Sequence, residues 1–182
     1  MSLSDGASER SFWEWSSKTY AEPLASRSLL RLQDQFGFNV NILLWCCWCA
    51  QEFGPTTELT LRKAIDLTAS WSKDVTQILR SARRALKTPP RQADADAAGR
   101  LRASVEAAEL AAEKLEQDML ETLAREMLAP AAERSNPLHE ARRSLARYAA
   151  LLGAARRNGF STLLLDDLAR TVFAETAIEA SE

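Results

Sequence analysis

Three cysteines on one short stretch are the residues of this sequence whose types and spacing most suggest chemistry. Cys46, Cys47 and Cys49 lie in the segment FGFNVNILLWCCWCAQEFG, residues 36–54. A structural zinc site needs four ligands in a tetrahedron, whereas these thiols supply three at most, on differing faces of one helix, and His139 is far along the chain. Reduced cysteine in a core behaves as a small hydrophobic residue. We therefore predict buried thiols and no metal, with redox sensing or metal binding as the alternatives.

Signatures of enzymes are sparse. A Ser-His-Asp or Cys-His arrangement would have to use His139, the single histidine, which sits at an exposed helix start. One histidine cannot build the paired Glu-x-x-His motifs of a di-iron bundle, and no GxxxxGK phosphate loop occurs. We predict a non-enzymatic protein with no catalytic residues and no cofactor. A catalyst built from Asn41, Gln33 and an arginine is the remaining alternative.

A basic helical face is the stronger candidate for a working surface. Arg80, Arg83, Arg84 and Lys87 share one face through their spacing of three and four residues. No aromatic residue lies between them to stack bases, which argues against nucleic acid. Residues 106–121 carry six acids and one lysine, so a returning helix could neutralise this face internally. The alternatives are internal pairing, or recognition of phosphate or of an acidic partner protein.

A second hypothesis is a pocket for a small apolar or anionic ligand. Its walls would be tryptophans on neighbouring helices, and its polar groups would be two asparagines and a glutamine at the ends of helices. The candidate pocket residues are Trp13, Gln33, Asn39, Asn41, Trp45, Trp48 and Trp71. Aromatic residues at helical spacing lie more often in a core than in a pocket, so this hypothesis comes second.

The elements that must position these residues are all predicted helices. Ser11 begins the capping box S-x-x-E, which predicts a first helix with Trp13 and Tyr20 on one face. Pro23 suits the first turn of a second helix, and Asn39 is a good N-cap for a third. The third helix is apolar on every side, which is typical of a buried helix. Its run from Val40 is too short to span a membrane, which takes about 20 apolar residues.

A long helical hairpin is predicted next. The apolar spacing from Leu61 to Leu86 indicates one helix that runs unbroken from Thr57 to about Lys87, with Trp71 in the core where it crosses the first or third helix. Residues 88–93 hold two prolines and form the turn. Residues 93–129 form a returning helix with a coiled-coil-like seam. The seam consists of Leu101, Val105, Ala108, Ala112, Leu115 and Met119.

The predicted fold class is therefore all-α: a helical bundle with a long helical hairpin and appended C-terminal helices. We expect residues 1–10 to be disordered, residues 11–129 to form the helical domain, and residues 130–182 to form an extension. The extension should hold one helix that closes at Gly159 and another over residues 161–173. Because it has few large apolar residues, we expect it to dock loosely or to bind a partner.

The chain also resembles the DUF2390 family of small proteobacterial proteins of unknown function. The resemblance lies in FWEWSSKTY, LLRLQDQFGFNVNILLWCCW and WSKDVTQILRSARRALK, and covers about residues 11–88. It implies the family's fold and a bacterial setting, and it implies no reaction.

The charge balance agrees with a protein partner rather than nucleic acid. The chain carries 23 basic and 25 acidic residues, a net charge of -2, so no global field attracts nucleic acid. The first ten residues lack the basic start and apolar stretch of a secretory signal. We predict a cytoplasmic protein whose main role is protein–protein interaction, through the basic face or the C-terminal helices. Self-association through residues 101–119 is a further expectation.

Overall fold

The computed structural model describes residues 11–130 and 136–174 of the chain. The predicted disorder of residues 1–10 and parts of the C-terminal extension lie outside these residues. The described part is all-α and contains no strand, which confirms the predicted fold class. The helices are α1 (Phe12–Ala21), α2 (Pro23–Phe36), α3 (Val40–Glu52), α4 (Glu58–Trp71), α5 (Gln77–Ala85), α6 (Ala95–Met127), α7 (Pro137–Leu151) and α8 (Leu163–Val172).

Local sequence signals fix the helix starts. The Oγ of Ser11 accepts a hydrogen bond from the backbone N–H of Glu14. The Oδ1 of Asn39 accepts from the N–H groups of Asn41 and Ile42, and Thr57 caps α4 in the same way. Each cap satisfies donors that the first helical turn leaves free. Gly37 ends α2 at φ 62°, a left-handed conformation that glycine adopts without strain, and this lets α3 begin three residues later.

The buried third helix lies at the centre of the core. Residues 42–50 are all buried, including the three cysteines and both tryptophans of this segment. α7 packs directly on α3, and Leu145 and Tyr148 of α7 belong to the same core. α8 packs on α2 and α7 and adds Leu168. The expectation of loosely docked C-terminal helices is therefore wrong, because the small residues of α7 allow a close approach to α3.

Two helix boundaries differ from the prediction. α7 ends at Leu151, and Gly153 follows at φ 62°, so the predicted end at Gly159 is too late. The long fourth helix is also interrupted: a π-helical turn, Ser72–Thr76, separates α4 from α5. A π-turn accommodates one extra residue within a helix, so it changes the faces that the following residues present.

The returning helix α6 buries a different face from the predicted seam. Of the seam residues only Ala112 is buried, while Leu101 and Leu115 are 54% and 51% exposed. The buried residues of α6 are Ala98, Glu109, Ala112, Glu116, Gln117, Leu120 and Ala124. The predicted seam is wrong because Glu109 and Glu116 face inward instead, where they meet Arg80 of α5 and Asn39 at the start of α3.

Candidate functional site

A cleft of about 840 Å³ opens between α1, α2, the start of α3, α5 and α6. Its walls carry aromatic, amide and charged side chains from five helices and from the π-helical turn. The polar and aromatic lining residues include Trp13, Ser16, Tyr20, Gln33, Asn39, Asn41, Thr76, Gln77, Arg80, Arg83, Arg84, Glu109, Glu113, Glu116 and Gln117. The mixture of an aromatic wall with converging polar groups is typical of ligand sites.

Amide side chains at the start of α3 join it to α6 at the inner end of the cleft. Asn39 Nδ2 donates to Glu116 Oε1 at 3.0 Å, and Gln117 Nε2 donates to Asn41 Oδ1 at 2.9 Å. The hydroxyl of Ser16 donates to Gln117 Oε1 at 2.5 Å, which ties α1 into the same network. These bonds hold the cleft wall in one arrangement.

Glu116 is a buried carboxylate in this network. It is 2% exposed, and no basic side chain of the described residues lies within ion-pair distance of it. Burial raises its pKa above the ordinary carboxyl value, although hydrogen bonds from Asn39 and Asn41 oppose the shift. A buried carboxylate without a cation is costly, which makes Glu116 a candidate functional residue.

The basic face and the acidic helix pair where they cross. Arg80 contacts Glu109 at 3.0 Å and Glu113 at 3.1 Å, and Arg83 contacts Glu109 at 2.5 Å. Burial raises the pKa of Glu109, but hydrogen bonds from Arg83 and Arg80 outweigh that effect and lower it. Burial raises the pKa of Glu113. Two of the four basic-face residues are therefore neutralised internally.

The other two basic-face residues remain without a carboxylate. Arg84 and Lys87 are exposed, and neither forms an ion pair with any residue that the structure describes. Arg84 lines the cleft, whereas Lys87 lies beyond the end of α5 and does not. The cleft therefore has one unpaired cation at its side.

The tryptophans of the predicted pocket lie in three different places. Trp13, with Gln33, Asn39 and Asn41, lines the cleft. Trp45 and Trp48 are fully buried in the core, where Trp45 Nε1 donates to the carbonyl of Leu120 at 2.8 Å. Trp71, the last residue of α4, is half-buried against α6, and its Nε1 donates to the carbonyl of Ala112 at 3.0 Å. Only Trp13 of these four borders the cleft. The predicted core position of Trp71 is wrong, because its ring is half-buried and its hydrogen bond goes to α6.

The π-helical turn is a feature of the cleft that the sequence analysis missed. Thr76 at its end is 5% exposed, lines the cleft, and its Oγ1 has no hydrogen-bond partner. Gln77 follows and also lines the cleft. π-turns inside α-helices occur frequently at functional sites. Nothing in the apolar spacing around Trp71 signals the turn.

The cysteines lie in the core, as predicted. All three are free and fully buried. Burial raises the pKa of each thiol, that of Cys47 to about 12. Because the thiolate is the reactive form, these cysteines are poor nucleophiles.

The described residues offer neither a metal site nor a membrane-spanning helix. No group of three or more histidine, cysteine or acidic side chains is placed to hold a metal ion. None of the described helices has the length and apolar character to cross a bilayer.

Comparisons with known proteins give one match. The model of a family described as a protein of unknown function, DUF2390, matches residues 11–120. The match extends the resemblance seen over residues 11–88 through most of α6, so it includes every residue of the cleft wall named above. No curated protein and no solved structure matches the chain.

Proposed function

The chain belongs to the DUF2390 family, and from this premise we propose that it binds a small polar ligand with an anionic group in the cleft. The observation that carries the proposal is the unpaired Arg84 on a cleft wall whose other arginines are already paired. A guanidinium presents several N–H donors to a carboxylate or a phosphate. Trp13 and Tyr20 supply an apolar surface in the same cleft.

A purely apolar ligand fits the cleft less well. Such a ligand would cover the guanidinium of Arg84 and the hydroxyl of Thr76 without giving either a partner, at an expected cost of about 1–3 kcal/mol for each buried group. A polar ligand with an apolar portion uses both kinds of lining. We therefore favour the anionic form of the ligand hypothesis.

The proposed role is binding without catalysis. The buried thiols have raised pKa values, and the hydroxyl of Ser16 is held by Gln117. His139 lies exposed in the first turn of α7 and does not line the cleft. These placements support a binding protein. The family resemblance and the free thiols also support a bacterial cytoplasmic setting.

Ligand-observed NMR with a library of small carboxylates and phosphates tests the proposal. Arg84→Ala should abolish the signals of bound anions, whereas Lys87→Ala should leave them unchanged. Lys87 is the matched control because it is also exposed, basic and unpaired but lies outside the cleft. Equal binding by both variants, or no anion that binds the wild type, would contradict the proposal.

A second candidate function is recognition of an acidic protein surface by Arg84 and Lys87. Their exposure and lack of ion pairs favour it. If this role is correct, Lys87→Glu should weaken capture of an acidic partner as strongly as Arg84→Glu, and capture should weaken with salt.

Self-association through residues 101–119 is a separate proposal, supported by the exposed Leu101, Leu110 and Leu115 of α6. Analytical ultracentrifugation of the Leu115→Lys variant tests the self-association.

A further inference from the structure

The cleft contains two unpaired charges of opposite sign. Arg80 and Arg83 are paired with Glu109 and Glu113. Among the charged lining residues this leaves Arg84, which is exposed, and Glu116, which is 2% exposed. The ligand therefore meets a cation on one part of the wall and a carboxylate on another.

The ion pairs also set the separation of these two residues along the helix axes. Arg83 pairs with Glu109, and Arg80 pairs with Glu113, so α5 and α6 run antiparallel. Arg84 is four residues beyond Arg80 in α5, and Glu116 is three residues beyond Glu113 in α6, in the opposite direction. At a rise of 1.5 Å per residue the two positions are separated by roughly 10 Å along the helices.

The inner end of the cleft has further capacity to accept hydrogen bonds. Glu116 receives hydrogen bonds from Asn39 and Asn41, and a carboxylate has about four lone-pair sites, so it can accept a further donor. Thr76 on the same cleft has a buried hydroxyl with no partner. Buried polar groups normally have partners, so both groups are suited to a donor on the ligand.

We propose that the ligand is a linear zwitterion, with its anionic group at Arg84 and a cationic N–H donor at Glu116 and Thr76. This inference rests on the proposed function and adds the second charge and the span. A tripeptide has a suitable length, because extended residues span about 3.3–3.6 Å each. The probe is therefore a free tripeptide with a central phenylalanine, whose ring can lie against the Trp13 wall.

Isothermal titration calorimetry with three forms of this peptide tests the inference. The free peptide should bind, and both the N-acetylated and the C-amidated forms should bind at least tenfold more weakly. Glu116→Gln should remove the preference for the free over the acetylated form, and Arg84→Ala should remove the preference over the amidated form. Asp118→Asn, an exposed position of α6 outside the cleft, should preserve both preferences.

Thr76→Val provides a second test that keeps the shape of the side chain. It should weaken the free peptide more than the acetylated one. Circular dichroism and thermal melting establish that each variant is folded. Equal binding of the free and acetylated forms would overturn the zwitterion while leaving an anion-binding cleft in place. Failure of all three peptides, with library anions still bound through Arg84, would also overturn it.

Discussion

Asn39 serves two helices at once: its Oδ1 caps α3, and its Nδ2 donates to Glu116 Oε1 of α6 at 3.0 Å. The backbone N–H of the same residue donates to the hydroxyl of Tyr148 on α7 at 3.1 Å. One residue therefore connects the start of the buried helix to the carboxylate of the cleft and to the C-terminal helices.

Substitution of Asn39 separates its two side-chain functions. Asn39→Asp keeps an oxygen for the cap but loses the N–H donor and places a second carboxylate against Glu116. We expect it to lower the free energy of unfolding by about 1–3 kcal/mol, the cost of leaving a buried polar group without its partner. Urea unfolding measures the change. Asn39→Asp combined with Glu116→Gln should recover most of the loss, because the glutamine can donate. A double variant as unstable as Asn39→Asp alone would contradict this interpretation.

The starts of α1, α3 and α4 were predictable, because each depends on residues adjacent in sequence. Ser11 and Asn39 cap their helices with side chains that reach two or three residues ahead. The inward face of α6 was not predictable in this way. Glu109 and Glu116 are buried because Arg80 and Asn39 meet them, and those partners are 29 and 77 residues away along the chain.

The candidate site was predicted in part, because only some of its residues carry a local sequence signal. Gln33, Asn39 and Asn41 were singled out as polar groups at helix ends, and the structure brings them to one cleft with Trp13. The sequence could not distinguish Trp45 and Trp48, which lie in the core, from Trp13, which lines the cleft. A tryptophan on a helix has the same spacing in both environments. Thr76 was not predicted because its position depends on the π-helical turn, which no local sequence signal marks.

Charge reversal distinguishes the paired from the unpaired part of the basic face. Arg80→Glu places a third carboxylate beside Glu109 and Glu113, and we expect a loss of about 1–3 kcal/mol from the charged hydrogen bonds. Arg84→Glu breaks no described ion pair, and should change the free energy of unfolding by less than about 0.5 kcal/mol. Chemical denaturation of both variants checks the difference. Equal losses would mean that Arg84 is also structural.

The tryptophans should differ in the same way. Trp45→Ala removes a fully buried ring and should cost about 3–5 kcal/mol. Trp13→Ala removes a ring that is only partly buried, so we expect a loss of about 1–2 kcal/mol together with loss of ligand binding. Thermal melting and titration of the two variants separate stability from binding. A Trp13 variant that binds normally would remove Trp13 from the site.

The cysteines should be unreactive until the protein unfolds. Iodoacetamide at pH 8 should modify none of the three thiols of the native protein, because they are buried and their pKa values are raised. All three should react in denaturant, as intact mass spectrometry can show. Fast modification of the native protein would point to an open state of α3.

The carboxylates of α6 should give the stability a defined pH dependence. Burial raises the pKa values of Glu116 and Glu113 in the folded protein. The native state then binds these protons more tightly than the unfolded state, in which the pKa is about 4.3. Their contribution to stability is full below that value and is lost as the pH rises through the raised pKa. Glu109 has a lowered pKa and acts in the opposite direction, so it stabilises above the ordinary value and loses that effect in acid.

Glu116→Gln isolates one of these groups, since the glutamine retains an oxygen for Asn39. At pH 7 the variant should unfold at a higher urea concentration than the wild type, because it has no buried charge to stabilise. At pH 4 the difference should disappear, as the wild-type carboxyl is then protonated as well. Glu109→Gln is the control of opposite sign: it should be less stable than the wild type at pH 7 and approach it in acid. A Glu116→Gln variant that is destabilised equally at both pH values would contradict this expectation, because it would show that the charge of Glu116 carries no net penalty in the folded protein.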